Sequence, residues 1–303
     1  MRWTLAVALA TWMLPVALPA APAVPDKVAP PADIEESPPP AHPAPHARTA
    51  QIPELRVVAA RDLVGRAVRS ADGRMAGEIQ SVVIDLHSGR MDFVLIQPGP
   101  ALGGTDLVAV PWPALVVPVH GGGPIDSRAD LAKLKDAPRV TPQTMAEMIK
   151  ARQVGQVWRH YGLTPPQPAD KAAPAPERAL VVTAEGPRMV PAAGAGDDPG
   201  MPVQADNGAT LGKVDQVMID AERGRVAYML VAAGGFLGLN VGWLPVPFDS
   251  LHTKGDSPAL TLDANATQLS QLPLFEKDAL PDHIERDDLA ALYEHYGVEP
   301  YWQ

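Results

Sequence analysis

The amino-acid sequence predicts a mainly β protein in which two small β-barrels follow one another, each followed by a short C-terminal α-helix. Three observations lead to that class. The text of one half returns in the other at a constant spacing, the apolar runs are strand-sized and bounded by turn residues, and each copy ends in a stripe of helical period.

The duplication is read at an offset of 135. Gly65, Val68, Gly73, Gly77, Val82, Ile84, Asp85, Gly89, Arg90 and Leu95 recur as Gly200, Val203, Gly208, Gly212, Val217, Ile219, Asp220, Gly224, Arg225 and Leu230. Those are ten identities in the 31 positions from 65 to 95, where ordinary composition gives about two. After a one-residue insertion Val110-Pro111 aligns with Val246-Pro247 and Leu115 with Leu251. The offset then returns to 135 for His160-Tyr161-Gly162 and His295-Tyr296-Gly297.

Within each copy the elements follow from local chemistry. The pairs Asp72-Gly73 and Asn207-Gly208 tolerate positive φ and suit a tight hairpin turn joining a short first strand to a long second one. Along that second strand the apolar positions change phase between Ile79 and Val82, and again between Val214 and Val217. A two-residue period changes phase only through an extra residue, so a bulge is expected near Ser81 and Gln216. The runs Met91 to Ile96 and Val226 to Val231 are almost continuously apolar, as in strands covered on both faces. Glycine-rich loops follow, then strands at Leu107 to Pro111 and Trp243 to Pro247, and last strands at Val116 to Val119 and Ala259 to Leu262. About five short strands per copy make a small barrel.

Each copy closes with a helix. Val154, Val157, Trp158 and Tyr161 fall on one helical stripe, as do Leu289, Leu292, Tyr293 and Tyr296, with Gly162 and Gly297 placed as left-handed C-terminal caps. The stripe is expected to cover an open end of the barrel, which has little core of its own.

Outside the repeat the chain changes character. Met1-Arg2, the apolar run Leu5 to Leu14 and the small residues Ala21-Pro22-Ala23 read as a signal peptide, residues 1–23, cut before Val24. The run is shorter than the roughly 20 apolar residues of a spanning helix, so a periplasmic or secreted protein is expected, with an uncleaved anchor as the alternative. Residues 24–52 form a Pro-rich linker and 165–198 an Ala/Pro/Gly-rich one, in which Leu180 to Thr183 is the one strand-like run. The repeats therefore occupy 53–164 and 199–303.

The turn Asp72-Gly73, then Gly77, Ile84-Asp85, Gly89-Arg90 and Val110-Pro111-Trp112-Pro113 resemble the PRC-barrel family, as do Asn207-Gly208, Gly212, Ile219-Asp220, Gly224-Arg225, the stretch Gly234 to Asn240 and Pro245 to Phe248. This is the module shared by the H subunit of photosynthetic reaction centres and the C-terminal part of a ribosome maturation factor. The resemblance implies a compact all-β barrel used for binding or docking, and it supplies no shared catalytic residues.

Composition narrows the function classes. With no cysteine there is no disulfide, thiolate metal site or cysteine nucleophile, and with a formal charge of −10 and scattered basic residues nucleic acid is not an expected partner. Asp85 with Arg90 and Asp220 with Arg225 flank matching turns and read as structural hairpin pairs, each a cross-strand ion pair contributing ~0.2–1 kcal/mol. His87, the residue that would make this a catalytic cluster, is Glu222 in the second copy. His160 and His295 read as solvated helix residues, since a bridging metal would need the two helices to meet. His42 and His46 belong to the spacer. Trp112, Phe236 and Leu237 are either barrel plugs or interaction anchors. No nucleophile elbow, phosphate loop or His-Glu-x-x-His motif occurs, so no catalytic, cofactor or metal residues are assigned.

The sequence thus reads as a non-enzymatic, exported protein-binding or scaffold protein whose partner is a protein of the cell envelope. The alternative is a periplasmic sensor of a metal or small ligand. The two copies are expected either to pack on each other within the chain or to leave that surface for a homodimer.

Overall fold

Turn residues set between short apolar runs deliver strands of two to eleven residues. The computed structural model describes residues 55–118, 122–166, 178–190, 200–233, 242–255, 257–263 and 284–302. The chain enters on β1 (Val57–Ala59) and then builds the first barrel from β2 (Ala67–Arg69), β3 (Met75–Asp85), β4 (Met91–Pro98), β5 (Leu107–Val110), β6 (Leu115–Val116) and β7 (Ile125–Ser127). After α1 (Leu131–Lys135), β8 (Arg139–Val140), α2 (Met145–Met148) and α3 (Ala151–His160) comes a hairpin of β9 (Ala179–Thr183) and β10 (Gly186–Val190). The second barrel is β11 (Met201–Ala205), β12 (Thr210–Asp220), β13 (Arg225–Ala233), β14 (Gly242–Pro247), β15 (Leu251–Thr253) and β16 (Leu260–Leu262), followed by α4 (Arg286–Tyr296).

The two barrels have one topology. Strand order is β6-β7-β2-β3-β4-β5 in the first and β15-β16-β11-β12-β13-β14 in the second, with β2·β7 and β11·β16 parallel and the remaining pairs antiparallel. Each barrel has six strands rather than five. In the first copy the strand expected over Val116 to Val119 is Leu115–Val116, and Ile125–Ser127 is a separate last strand; in the second, Leu251–Thr253 precedes Leu260–Leu262. Strands of two or three residues are too short to display an alternation.

Both expected bulges are present. The β3–β4 register skips Gln80 and the β12–β13 register skips Asp215. A second irregularity lies further along, where Val83 pairs with Phe93 and Ile84 with Met91, leaving Asp92 over, and where Met218 pairs with Tyr228 and Ile219 with Val226, leaving Ala227 over.

The helices dock where those bulges are, on the outer faces of the barrels rather than over an open end. Val82, Ile84, Val94, Ile96, Val108 and Val110 line the first interior, while Val83, Phe93, Leu95 and Ala109 point outward under Val154, Val157 and Trp158 of α3. Met218, Tyr228 and Leu230 lie likewise under Leu289 and Tyr293 of α4. Because the central strands are apolar on both faces, covering the outer face removes that second apolar surface from water. A bulge leaves a carbonyl outside the ladder, and the helix satisfies it: Trp158 Nε1 donates to Asp92 O at 2.9 Å, and Tyr293 Oη to Ala227 O at 2.7 Å. One turn on, Tyr161 Oη donates to Ala109 O and Tyr296 Oη to Pro245 O. Both helices end in left-handed glycines, Gly162 at φ 74° and Gly297 at φ 69°.

The barrels exchange strands. β1, which leads into the first barrel, pairs with β12 of the second, and β9, which leads toward the second, pairs with β3 of the first. The linker read over 165–198 therefore supplies a strand to the first barrel's sheet, on the run Leu180 to Thr183 that the sequence singles out. Both barrels belong to one compact unit, Ile52–Gln303.

Candidate functional site

The duplicated hairpin turns meet at the seam between the barrels, in a two-fold arrangement. Met91 N donates to Gly224 O and Val226 N to Gly89 O, each at 2.8 Å, and Arg90 faces its own counterpart Arg225 across an antiparallel bridge. Gly89 seats Phe248 and Gly224 seats Trp112. A Cβ built on Gly89 would lie 2.6 Å from Phe248 Cδ1, and one on Gly224 2.3 Å from Trp112 Cδ1, while both residues have positive φ, 69° and 61°. Glycine is required there for both reasons. Trp112, read from sequence as plug or anchor, is buried and anchors the sister barrel, its Nε1 donating to Ala221 O at 3.1 Å. Phe236 and Leu237 lie outside the described residues.

Two arginines complete the two-fold pattern. Arg56 O accepts from Ala221 N at 2.7 Å and Arg178 O accepts from Leu86 N at 3.1 Å, so each exchanged strand is fastened to the opposite turn. The Arg56 guanidinium reaches Glu222 and Pro118 O, and that of Arg178 reaches Gly255 O and Ser257 O.

The hairpin acids work differently from the expected cross-strand ion pairs. Asp85 and Arg90 do face each other, with Asp85 N donating to Arg90 O, and Asp220 is in register with Arg225. Their charges go elsewhere among the described residues. Asp85 caps its own turn, accepting from His87 N and Ser88 Oγ at 2.8 Å each. Asp220, fully buried, accepts from the backbone of Glu222 and Arg223, from Arg223 Nη1 at 2.9 Å and from Tyr301 Oη at 3.1 Å. Arg225 pairs with Asp249 and lies 4.9 Å over the Tyr301 ring. A turn of four residues offers nearby amide donors, and those outcompete a solvated partner across the strand. His87 is exposed, His295 is exposed, and His160 Nε2 sits 2.9 Å from Lys133 O.

Four further features stand apart from the paired turns. Asp92, the bulged residue of β4, is buried, and burial, with Asp85 nearby, pushes its carboxyl up to about 8, Arg90 opposing. Its second-copy counterpart is Ala227. On the outer wall of the first barrel, Val116, Asp126, Arg69 and Met75 form one row across β6, β7, β2 and β3. Arg69 grips Asp126 through two bonds of 2.7 and 3.0 Å, between a Met75 that is 48% exposed and a Val116 that is 43% exposed. The matching row in the second barrel is His252, Thr261, Gln204 and Thr210, all polar. Beside it, Asp206, His252 and Asp263 bring one oxygen or nitrogen donor each to within 4.8 Å of one another. Those three come from separate strand ends and carry no motif, so only their spatial neighbourhood reveals them. A cleft of about 330 Å³ between the β9–β10 hairpin and the β12 bulge is lined by Arg61, Glu185, Lys213 and Asp215 among others, charges of both signs.

The family model of the PRC-barrel domain matches residues 56–131 and again residues 199–267. No curated protein matches the chain.

Proposed function

The chain carries two PRC-barrel domains, and we propose that they act without catalysis, as a protein-binding scaffold exported to the cell envelope and presented as one rigid two-barrel body. The observation that carries this reading is the row Val116–Asp126–Arg69–Met75. It places two exposed large apolar side chains on either side of an ion pair, on strands that cannot shift relative to one another because they share a ladder. An apolar patch with a fixed charge pattern suits a protein surface, which gains burial from the flanks and orientation from the centre. The text common to both copies supports the same reading, since Asp85, Gly89, Asp220 and Gly224 are spent on turns and on the seam. Export rests on the leader over residues 1–23.

The chain has no cysteine, so single cysteines introduced at Met75 and Val116 report on those sites alone. Loaded with a photo-crosslinker in the intact envelope, both sites are expected to capture one common protein, and a cysteine at the matching Thr210 is expected not to. Capture no stronger from Met75 and Val116 than from Thr210 would overturn the docking role. Mass spectrometry of the envelope fraction is expected to find a mature N-terminus at Val24; a chain retaining Met1 in the cytoplasm would overturn export.

A second reading, a metal-responsive envelope protein, is favoured by the donors Asp206, His252 and Asp263.

A further inference from the structure

We infer that the second barrel carries a divalent transition-metal site, of zinc type, built from Asp206, His252 and Asp263. The proposal is independent of the docking row on the first barrel. Asp206 directly follows β11, His252 lies on β15, and Asp263 directly follows β16, and because β11·β16 and β15·β16 are adjacent pairs the three donors converge at one end of the barrel. A histidine nitrogen with two carboxylate oxygens is a donor set that zinc accepts, leaving its fourth position to water or a ligand.

Two observations besides the cluster point to a cation. His252 Nδ1 is shielded from solvent and lies 3.2 Å from Asp263 Oδ2 without a hydrogen-bond partner among the described residues, so a donor nitrogen stands beside a carboxylate oxygen that does not satisfy it. Lys254 Nζ sits 2.8 Å from Asp206 Oδ1, an ammonium at the place where the negative charge gathers. Lysine is the built-in competitor, which a metal has to displace.

The first barrel supplies the control. Its residues at these positions are Ala71, Val116 and Arg128: Val116 pairs within β6·β7 as His252 does within β15·β16, and Arg128 N donates to Ala114 O as Asp263 N does to Ser250 O. The same fold therefore stands with an apolar residue, a methyl and a cation where the second barrel has three metal donors. Nothing in the barrel architecture requires them.

The test is titration of the untagged full chain with Zn²⁺, by calorimetry or against a chelating dye. The wild type is expected to bind one equivalent that is lost in His252→Val and in Asp206→Ala, both of which install the first barrel's own residue and so leave the fold intact. Lys254→Met is expected to tighten binding about tenfold, the effect of removing a competing charge worth about 1.4 kcal/mol. Zinc bound equally by the wild type and His252→Val would place it on another of the eight histidines and overturn the proposal. So would a wild type with no zinc uptake at micromolar concentrations, or a Lys254→Met variant that binds more weakly.

Discussion

The two barrels share a strand order, both bulges, the exchanged strand and the docked helix, yet most of their side chains differ, among them Asp92 against Ala227, Trp112 against Phe248, Met75 against Thr210 and Val116 against His252. The shared residues turn out to be structural. Asp85 and Asp220 organise turns, and Gly89 and Gly224 make room for aromatic rings. In a duplicated chain, identity between copies marks what the fold needs, and divergence at exposed positions such as Met75 and Val116 marks what the fold leaves free for binding. That reverses the habit of reading repeated polar residues as a site.

The comparison breaks most severely at the seam. Trp112→Ala and Phe248→Ala each remove a buried aromatic from a seat shaped by a glycine of the other barrel, a loss of about 3–5 kcal/mol. Trp112→Ala is expected to cost more, because it also orphans Ala221 O. Urea unfolding is expected to show one cooperative transition moved to lower denaturant in both variants, since β1 and β9 bind each barrel into the other's sheet. Two separated transitions would mean that the barrels unfold independently.

Much of this architecture is legible in the sequence, and the gaps have physical causes. The phase change between Ile79 and Val82 reveals a bulge because a strand's period is two, and the continuous apolar run Met91 to Ile96 reveals a strand covered on both faces. Strand exchange is invisible at an offset of 135. Arg56 and Arg178 play the same part but stand 122 positions apart, because the second copy carries the extra strand β10 between its entering strand and its barrel. Pairing between copies is likewise symmetric in sequence terms: nothing in the text of β9 says whether it joins its own barrel or its neighbour's. The donors Asp206, His252 and Asp263 are silent for a related reason, since only the β11–β16–β15 ladder brings them together.

A pH titration sharpens the contrast between Asp92 and Ala227. With its folded carboxyl raised to about 8 from an ordinary 3.8, Asp92 keeps in the native state a proton that the unfolded chain releases. The Asp92 contribution to stability is therefore largest below the ordinary carboxylate range, falls as pH rises from 4 toward 8, and levels off above it, at a slope of at most about 1.4 kcal/mol per pH unit. Asp92→Asn is expected to flatten that slope and to stabilise the protein more at pH 7 than at pH 4, read from urea midpoints at both. Ala227→Asp should import the same slope into the second barrel, where the bulge is buried under α4. An unchanged profile in Asp92→Asn would assign the pH dependence to other carboxylates.

The smallest effect separates the two helices. Tyr161→Phe and Tyr296→Phe delete the same hydroxyl from the same place in each copy, bonds of 3.1 Å to Ala109 O and 2.9 Å to Pro245 O. Burial holds both phenols above their ordinary range, so both stay protonated and neither loss depends on pH near neutrality. Each bond contributes about 1 kcal/mol. Tyr296 is the more buried of the two, and its acceptor, left bare, has no route to water, whereas water can reach the partly exposed site of Tyr161. Tyr296→Phe is therefore expected to cost more than Tyr161→Phe in unfolding midpoint. The opposite order would mean that α3, supported also by Ile149 and Val140 in its apolar cluster, depends on its tyrosine more than α4 does, and that the two helices are held by different means despite their matching sequence.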